Sequence, residues 1–365
     1  MSEKTTNKKD QGVRKHTRRE VLTKASGAAA ATVAAATIPR ITYGETKKFK
    51  VAIILPSFDQ QRWKAADGEY FNRRAEELGM EPLPLISSNS DPILQASQVE
   101  NMLTQGIDGL ALVPVDIDAA VTSVRKCNDA SVPVVSENYI IPNVELAGIA
   151  ARDGVELGRM LGRAASAAAP EGNYVLTNGD IGTDIARLKH QGIMEILQPL
   201  VDSGAITIVH DQYMRAWSGE LARKQVEQAL TANDNNIAAV ACSWDGGAYG
   251  VIEALRAQGL AGKIPVTGED AEPQALKLVL AKEMLVTAWT KFDLMGSRAA
   301  DLLYEKLAGL PSSANSTYNN GWGDVPWDKI DIVNVTVDGT EPDSISVSEF
   351  ADANPWWVTR EELGI

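Results

Sequence analysis

The chain has 365 residues, 44% of them hydrophobic and 23% charged, the composition of an ordinary globular protein, and the roughly 320 residues beyond position 44 are enough for two cores. Its formal net charge is −13, and without residues 1–44 it keeps 26 basic against 45 acidic side chains, a charge of −19. A surface of that sign repels nucleic acid and anionic membrane, so neither is expected as a partner.

The chain opens with Lys8, Lys9, Arg14, Lys15, Arg18 and Arg19, followed by an Ala-rich stretch over 25–37, the layout of an export signal. Within it Thr17-Arg18-Arg19-Glu20-Val21-Leu22-Thr23-Lys24 resembles the twin-arginine signal. The blander readings are a solvated basic tail or an anchor helix. However, an Ala-dominated run of about a dozen residues is too short and too weakly apolar for a span that needs roughly 20. Cleavage after Ala36 and cleavage after Gly44 both present small residues to the peptidase, and no cysteine nearby offers a lipid anchor. Residues 1–44 are therefore read as a cleaved signal and the mature protein as periplasmic.

From Phe49 onward β-branched runs alternate with amphipathic helical patterns, a βα pair taking roughly 25–30 residues. Strands are predicted at 49–56, 81–87, 109–114, 132–136 and 146–150, with helices at 62–78, 92–105, 117–129 and 154–168. The rhythm then restarts, with strands at 173–177, 206–209, 238–242 and 264–267 and helices at 184–200, 219–232 and 247–258. A strand at 285–289, a helix at 293–307, a strand at 331–337 and a polar tail close the chain. The fold class is α/β, two Rossmann-like lobes with parallel sheets. The expected lobes are 49–149 with 290–322, and 150–289 with 323–345, the tail being 346–365.

Doubly wound sheets hold ligands beyond the carboxyl ends of their strands, which directs attention to the residues there. Arg62-Trp63, Glu137-Asn138, Thr183-Asp184, Trp217, Trp244-Asp245 and Glu269-Asp270 follow successive predicted strands. Indole faces cover the C–H patches of a sugar ring, and carboxylate, amide and guanidinium groups satisfy its hydroxyl rim. Each has a structural alternative: Asp184 and Asp245 could simply cap the next helix, and Trp244 and Trp289 could be lobe-surface residues. Asp270, in the tight exit Thr267-Gly268-Glu269-Asp270-Ala271, is the better ligand candidate.

Catalytic signatures are missing: no G-x-S-x-G, H-E-x-x-H, P-loop or strand-borne G-x-G-x-x-G occurs. Of the three histidines, His16 belongs to the signal, while His190 and His210 read as surface or helix-packing residues. Cys127 and Cys242 sit in apolar segments and read as buried, unpaired thiols. No metal-ligand spacing is visible, so no cofactor is expected and twin-arginine export is read as a choice of route.

Together these residues resemble the type I periplasmic sugar-binding proteins of ABC importers, and within that family its D-xylose binders. The carrying segments are Gln61-Arg62-Trp63, Gln98-Val99-Glu100-Asn101-Met102-Leu103, residues 225–233, Gly268-Glu269-Asp270-Ala271, and Asn319-Asn320-Gly321 with Asp324-Val325-Pro326. The resemblance implies a three-strand hinge, closure of the lobes on a monosaccharide, stacking by Trp63 and Trp217, and hydrogen bonds from Arg62 and Asp270. It also implies a membrane permease as partner; the protein itself is expected to be a monomer. Three positions depart from the xylose-binding pattern: Glu137-Asn138 stands for an Asp-Arg pair, Trp244 for an Asn, and Thr290 or Lys291 for a lysine. The competing functions are a sensory module that presents the sugar to a membrane receptor and a secreted carbohydrate-active enzyme using Asp245 and Asp270 as acid and base. A cytoplasmic repressor is disfavoured, since no basic DNA-binding segment precedes Phe49.

Overall fold

A computed structural model describes residues 48–340 and 343–365, so the signal expected at 1–44 lies outside the described residues. The first sheet begins with β1 (Lys50–Leu55), apolar and buried from Val51 onward as a strand covered on both faces must be. A π-helical turn (Trp63–Gly68) leads into α1 (Glu69–Glu77), and β2 (Glu81–Pro82), β3 (Ile86–Ser87), α2 (Pro92–Thr104), β4 (Gly109–Leu112), α3 (Ile117–Asp129), β5 (Val134–Glu137) and β6 (Gly148–Arg152) follow. The second lobe holds α4 (Gly154–Ala168), β7 (Gly172–Asn178), α5 (Asp184–Asp202), β8 (Ile206–Tyr213), α6 (Gly219–Ala232), β9 (Ala239–Cys242), α7 (Asp245–Ala257), β10 (Thr267–Glu269), α8 (Pro273–Leu280) and β11 (Val286–Thr290). The chain returns through α9 (Phe292–Ala308), β12 (Ser316–Asn319) and β13 (Asp324–Ile330), then ends with β14 (Ile332–Thr336), β15 (Ser344–Ser346), α10 (Val347–Ala353) and α11 (Arg360–Leu363).

The first sheet runs β12-β13-β6-β5-β4-β1-β2, with β3 also on β1, and is parallel except for the β12–β13 hairpin. The second consists of β8-β7-β9 and β10-β11-β14-β15, joined by the Val240–Val266 bridge. In each lobe the winding reverses beside the first strand, between β1 and β4 and between β7 and β9. Both crevices therefore open at the carboxyl ends of those strands. The chain passes between the sheets at Asp153, Lys291 and Asp331. Two ion pairs lace these crossings together: Lys329 Nζ to Asp153 Oδ2 at 2.8 Å, and Lys291 Nζ to Asp331 Oδ2 at 3.2 Å.

Two expectations are corrected. The strand over 324–330 pairs with β6 in the first sheet, although the sequence pattern put 323–345 with the second lobe; the antiparallel hairpin does not follow the βα rhythm on which that boundary was drawn. The end of the chain is no loose polar tail either. It packs Phe350, Trp357, Val358 and Leu363 into the core, and capping boxes at Ser346/Glu349 and Thr359/Glu362 start its two helices. Among the described residues no helix is long and apolar enough to cross a membrane.

Candidate functional site

A cleft of about 580 Å³ opens where the loops after β1, β4, β7, β9 and β10 face one another. Of the side chains singled out from sequence, Arg62, Trp63, Trp217, Trp244 and Asp270 line it. Glu137, Asn138, Asp184 and Asp245 stand outside this lining, as support.

The floor is a buried charge array. Arg62 leaves the β1 loop and lies between two rings, its guanidinium carbon 4.0 Å from the centroid of Trp63 and 3.5 Å from that of Phe292. Its Nη2 donates to Asp67 Oδ1 at 2.7 Å and to Asn138 Oδ1 at 2.9 Å, while Nη1 reaches Asp270 Oδ1 at 3.4 Å across the interlobe gap. A second interlobe pair joins Arg152, the last residue of β6, to Glu269 of β10, with Nε and Oε1 2.6 Å apart. The other oxygen of Glu269 accepts from Lys189 Nζ at 2.6 Å, and Lys189 also donates to the Ser243 carbonyl at 2.6 Å. Burial by itself would raise the Glu269 carboxyl, but Arg152 and Lys189 outweigh it and hold the group below its ordinary value. For Lys189 burial dominates and lowers the ammonium. Asp270 is pushed up to about 7 by burial and by the neighbouring Glu269, against the pull of Arg62.

Lys189 reaches this floor because α4 and α5 touch backbone to backbone. A Cβ on Gly158 would stand 2.1 Å from the Lys189 carbonyl oxygen, and one on Gly192 would stand 2.0 Å from that of Val155. The aromatic wall is built in a similar way. Trp217 packs its six-membered ring where a Cβ on Gly179 would intrude to 2.0 Å, and meets Trp244 edge-on at 5.6 Å. The turn that presents it holds both Ala216 and Trp217 at a φ of 54°, and Asp180, just beyond β7, accepts from the backbone N–H groups of Ala216 and, at 2.8 Å, Gly182.

The supporting residues have their own work. Asn138, at φ 66°, accepts from both Arg62 and Arg152 and so sets the spacing of two guanidinium groups. Glu137 is fully buried, and burial together with the adjacent Asp67 raises its carboxyl well above the ordinary range, which favours its neutral form. Asp184, raised to about 6 by burial, accepts from the Ile140 N–H at 2.9 Å and thereby joins the second lobe to the first. Asp245 accepts from Thr287 Oγ1 at 2.8 Å and from the Glu272 N–H at 3.0 Å. The carboxylates of Asp184 and Asp245 are thus claimed by protein donors from other segments of the chain, the Ile140 amide for the one and Thr287 with the Glu272 amide for the other. Trp289 packs away from the cleft against Phe292, Phe350 and Trp357. Cys127 and Cys242 are buried free thiols, and no grouping of metal-ligating side chains occurs among the described residues.

Sequence reasoning missed Asp67, Arg152 and Lys189. Arg152 was lost because β6 runs two residues beyond the predicted strand. Lys189 had a readable signal: it occupies a buried position on the stripe Ile185, Ala186, Lys189, Gly192, Ile193, where a lysine requires a partner.

Two lobes of largely parallel sheet, hinged at three crossings over a polar and aromatic cleft, define a type I periplasmic binding fold. Residues 51–311 match the model of the periplasmic binding protein domain. The chain is 34% identical over 280 residues to the D-xylose-binding periplasmic protein of Escherichia coli (strain K12), covering 77% of this chain and 84% of that one. It is 32% identical over 281 residues to the protein of the same description from Haemophilus influenzae, with the same two coverages, 77% and 84%. Among solved structures it resembles an ABC transporter solute binding protein from Clostridium phytofermentans with bound β-D-glucose, at a TM-score of 0.75 and 23% identity over 86% of this chain and 99% of that one. The chain belongs to the type I periplasmic sugar-binding proteins.

Proposed function

We propose that this protein is the extracytoplasmic substrate-binding component of an ABC sugar importer, closing its lobes on one neutral monosaccharide, D-xylose or a similar pentose, and delivering it to a membrane permease. The observation that carries this reading is the charge balance of the buried floor of the cleft: Arg62, Arg152 and Lys189 are matched by Asp67, Glu269 and Asp270, beneath walls of Trp63 and Trp217. An uncharged ligand rich in hydroxyl groups disturbs no ion pair, whereas an ionic one would leave a buried charge unmatched. The relatives' description as D-xylose-binding proteins supports the pentose. Arg18-Arg19 supports twin-arginine export to the periplasm, and the protein acts as a monomer without a cofactor. Binding rather than catalysis is favoured because the carboxylate of Asp245 is occupied by Thr287 and Glu272, so Asp245 and Asp270 do not face a ligand together as acid and base. Isothermal titration against pentoses, hexoses and polyols tests the proposal. Micromolar or tighter binding of xylose or another pentose is expected, and binding of none of them overturns the sugar assignment.

A further inference from the structure

The last twenty residues lie beyond the family match, which ends at residue 311, yet one of their side chains reaches the back of the cleft. Trp357 is buried, and its indole Nε1 donates to the Ala271 carbonyl at 2.7 Å. Ala271 follows Asp270, and the two hold φ values of 47° and 115°, which side chains other than glycine seldom adopt and which persist only where surrounding contacts impose them. The other contacts on this turn are N–H groups: Asp270 N to Ala288 O at 2.9 Å, Ala271 N to Thr287 Oγ1 at 3.0 Å, and Glu272 N to Asp245 Oδ2 at 3.0 Å. Trp357 supplies the contact to the carbonyl. The same indole packs on Trp289 at 5.5 Å, which meets Phe292 at 4.8 Å, the ring under the Arg62 guanidinium. Next to it, Trp356 touches Tyr70 of α1 in the first lobe at 5.0 Å.

We propose that Trp357 is a positioning residue for the sugar site: it clamps the Asp270–Ala271 turn so that the Asp270 carboxylate faces Arg62 and the ligand. The tail is then a functional part of the binding machinery. The link to ligand binding rests on the sugar-binding reading, whereas the clamp itself does not.

Trp357→Phe keeps a ring and deletes the N–H; Phe350→Leu loosens the same aromatic cluster and leaves the N–H in place. Hydrogen exchange on the sugar-free full-length protein is expected to rise at least tenfold at the amides of residues 270–272 in Trp357→Phe, with β1 unchanged, and to stay within twofold of wild type there in Phe350→Leu. Equal increases in both variants, or none in Trp357→Phe, overturn the clamp. Titration with D-xylose, and with the tightest binder of the pentose panel, then supplies a cycle. Trp357→Phe is expected to weaken binding about tenfold in the wild-type background and less than twofold beside Asp270→Ala. The same factor in both backgrounds overturns action through Asp270. A wild type that binds no sugar, with the exchange result intact, removes the sugar reading and leaves the clamp standing.

Discussion

Replacing Glu269 by glutamine keeps its volume and removes the charge that Arg152 and Lys189 share. All three side chains are at most 3% exposed, which puts the triad in the regime where losing one partner costs about 3–5 kcal/mol, against less than about 1 for a surface pair. Lys189 can relieve its share by giving up a proton, because burial already lowers its pKa, and it keeps the Ser243 carbonyl. Arg152 has no such escape. The expected loss is therefore near the lower limit, about 3 kcal/mol. At about 2.1 cal/mol/K per residue over the folded chain, that lowers Tm by roughly 4–5 °C. The assay is thermal and urea unfolding of the sugar-free protein at pH 7.5, with Arg152→Met made alone and together with Glu269→Gln. The double variant, no longer burying an unmatched guanidinium, should be more stable than Glu269→Gln alone. A loss below about 1 kcal/mol, or strictly additive losses in the double variant, would refute the view that this triad joins the lobes.

Asp270 and Asp184 are raised to about 7 and about 6, burial being the first cause in each. Since both folded values exceed the unfolded one of about 3.9, the folded protein holds extra protons between about pH 4 and pH 7. Its stability should accordingly fall as pH rises through that window, and Asp270→Asn should flatten the upper part; an unchanged slope in urea titrations at pH 5, 6, 7 and 8 counts against the assignment. Trp217→Ala removes an aromatic face of roughly 60–80 Å² from the ligand and should weaken sugar binding about 10–30-fold by titration calorimetry at about 25 cal/mol/Å²; no change means that the indole does not touch the sugar. Gly179→Ala places a methyl group where that ring lies and should lower affinity by a similar factor, with Tm as the control for folding. Asp184→Ala should free the Ile140 amide and favour the open form, read as faster exchange at Ile140 and a larger radius of gyration by small-angle scattering; an unchanged Ile140 amide disproves the lobe contact.

The elements most legible in the sequence carry their own caps. Asp116, Asp153 and Ser218 accept from the first-turn N–H groups of α3, α4 and α6, and the predicted bounds of these three helices are the observed ones. The predicted strand over 81–87 instead splits into two short pairings with β1, because Pro82 and Pro84 lack the N–H a continuous ladder needs. The hairpin of β12 and β13 went unread because a period of βα pairs has no place for it. The tail helices were announced by two capping boxes but carry few apolar residues, so periodicity passed over them.

The site was legible as a set of positions, not as a set of orientations. Asp184, Asp245 and Asp270 all follow a strand, and nothing in their spacing separates them. What separates them is which donors lie within reach. Asp245 sits at the first turn of α7 with Thr287 and the Glu272 amide beside it, and Asp184 at the first turn of α5 accepts from the backbone amide of Ile140, so both carboxylates turn toward protein. Asp270 has a backbone at φ 115°, fixed from behind by Thr287, Ala288 and Trp357, which turns its side chain into the cleft toward Arg62. The contacts that impose that conformation come from as far as 86 positions along the chain, and no local pattern reports them. The same reasoning applies to the departures at Glu137-Asn138 and Trp244. Burial favours the neutral form of Glu137, Asn138 receives two guanidinium groups in place of supplying one, and Arg152 and Lys189 bring the positive charge from other strands and helices. The floor therefore stays balanced although the residue types at the expected positions have changed, which is the condition a neutral sugar requires.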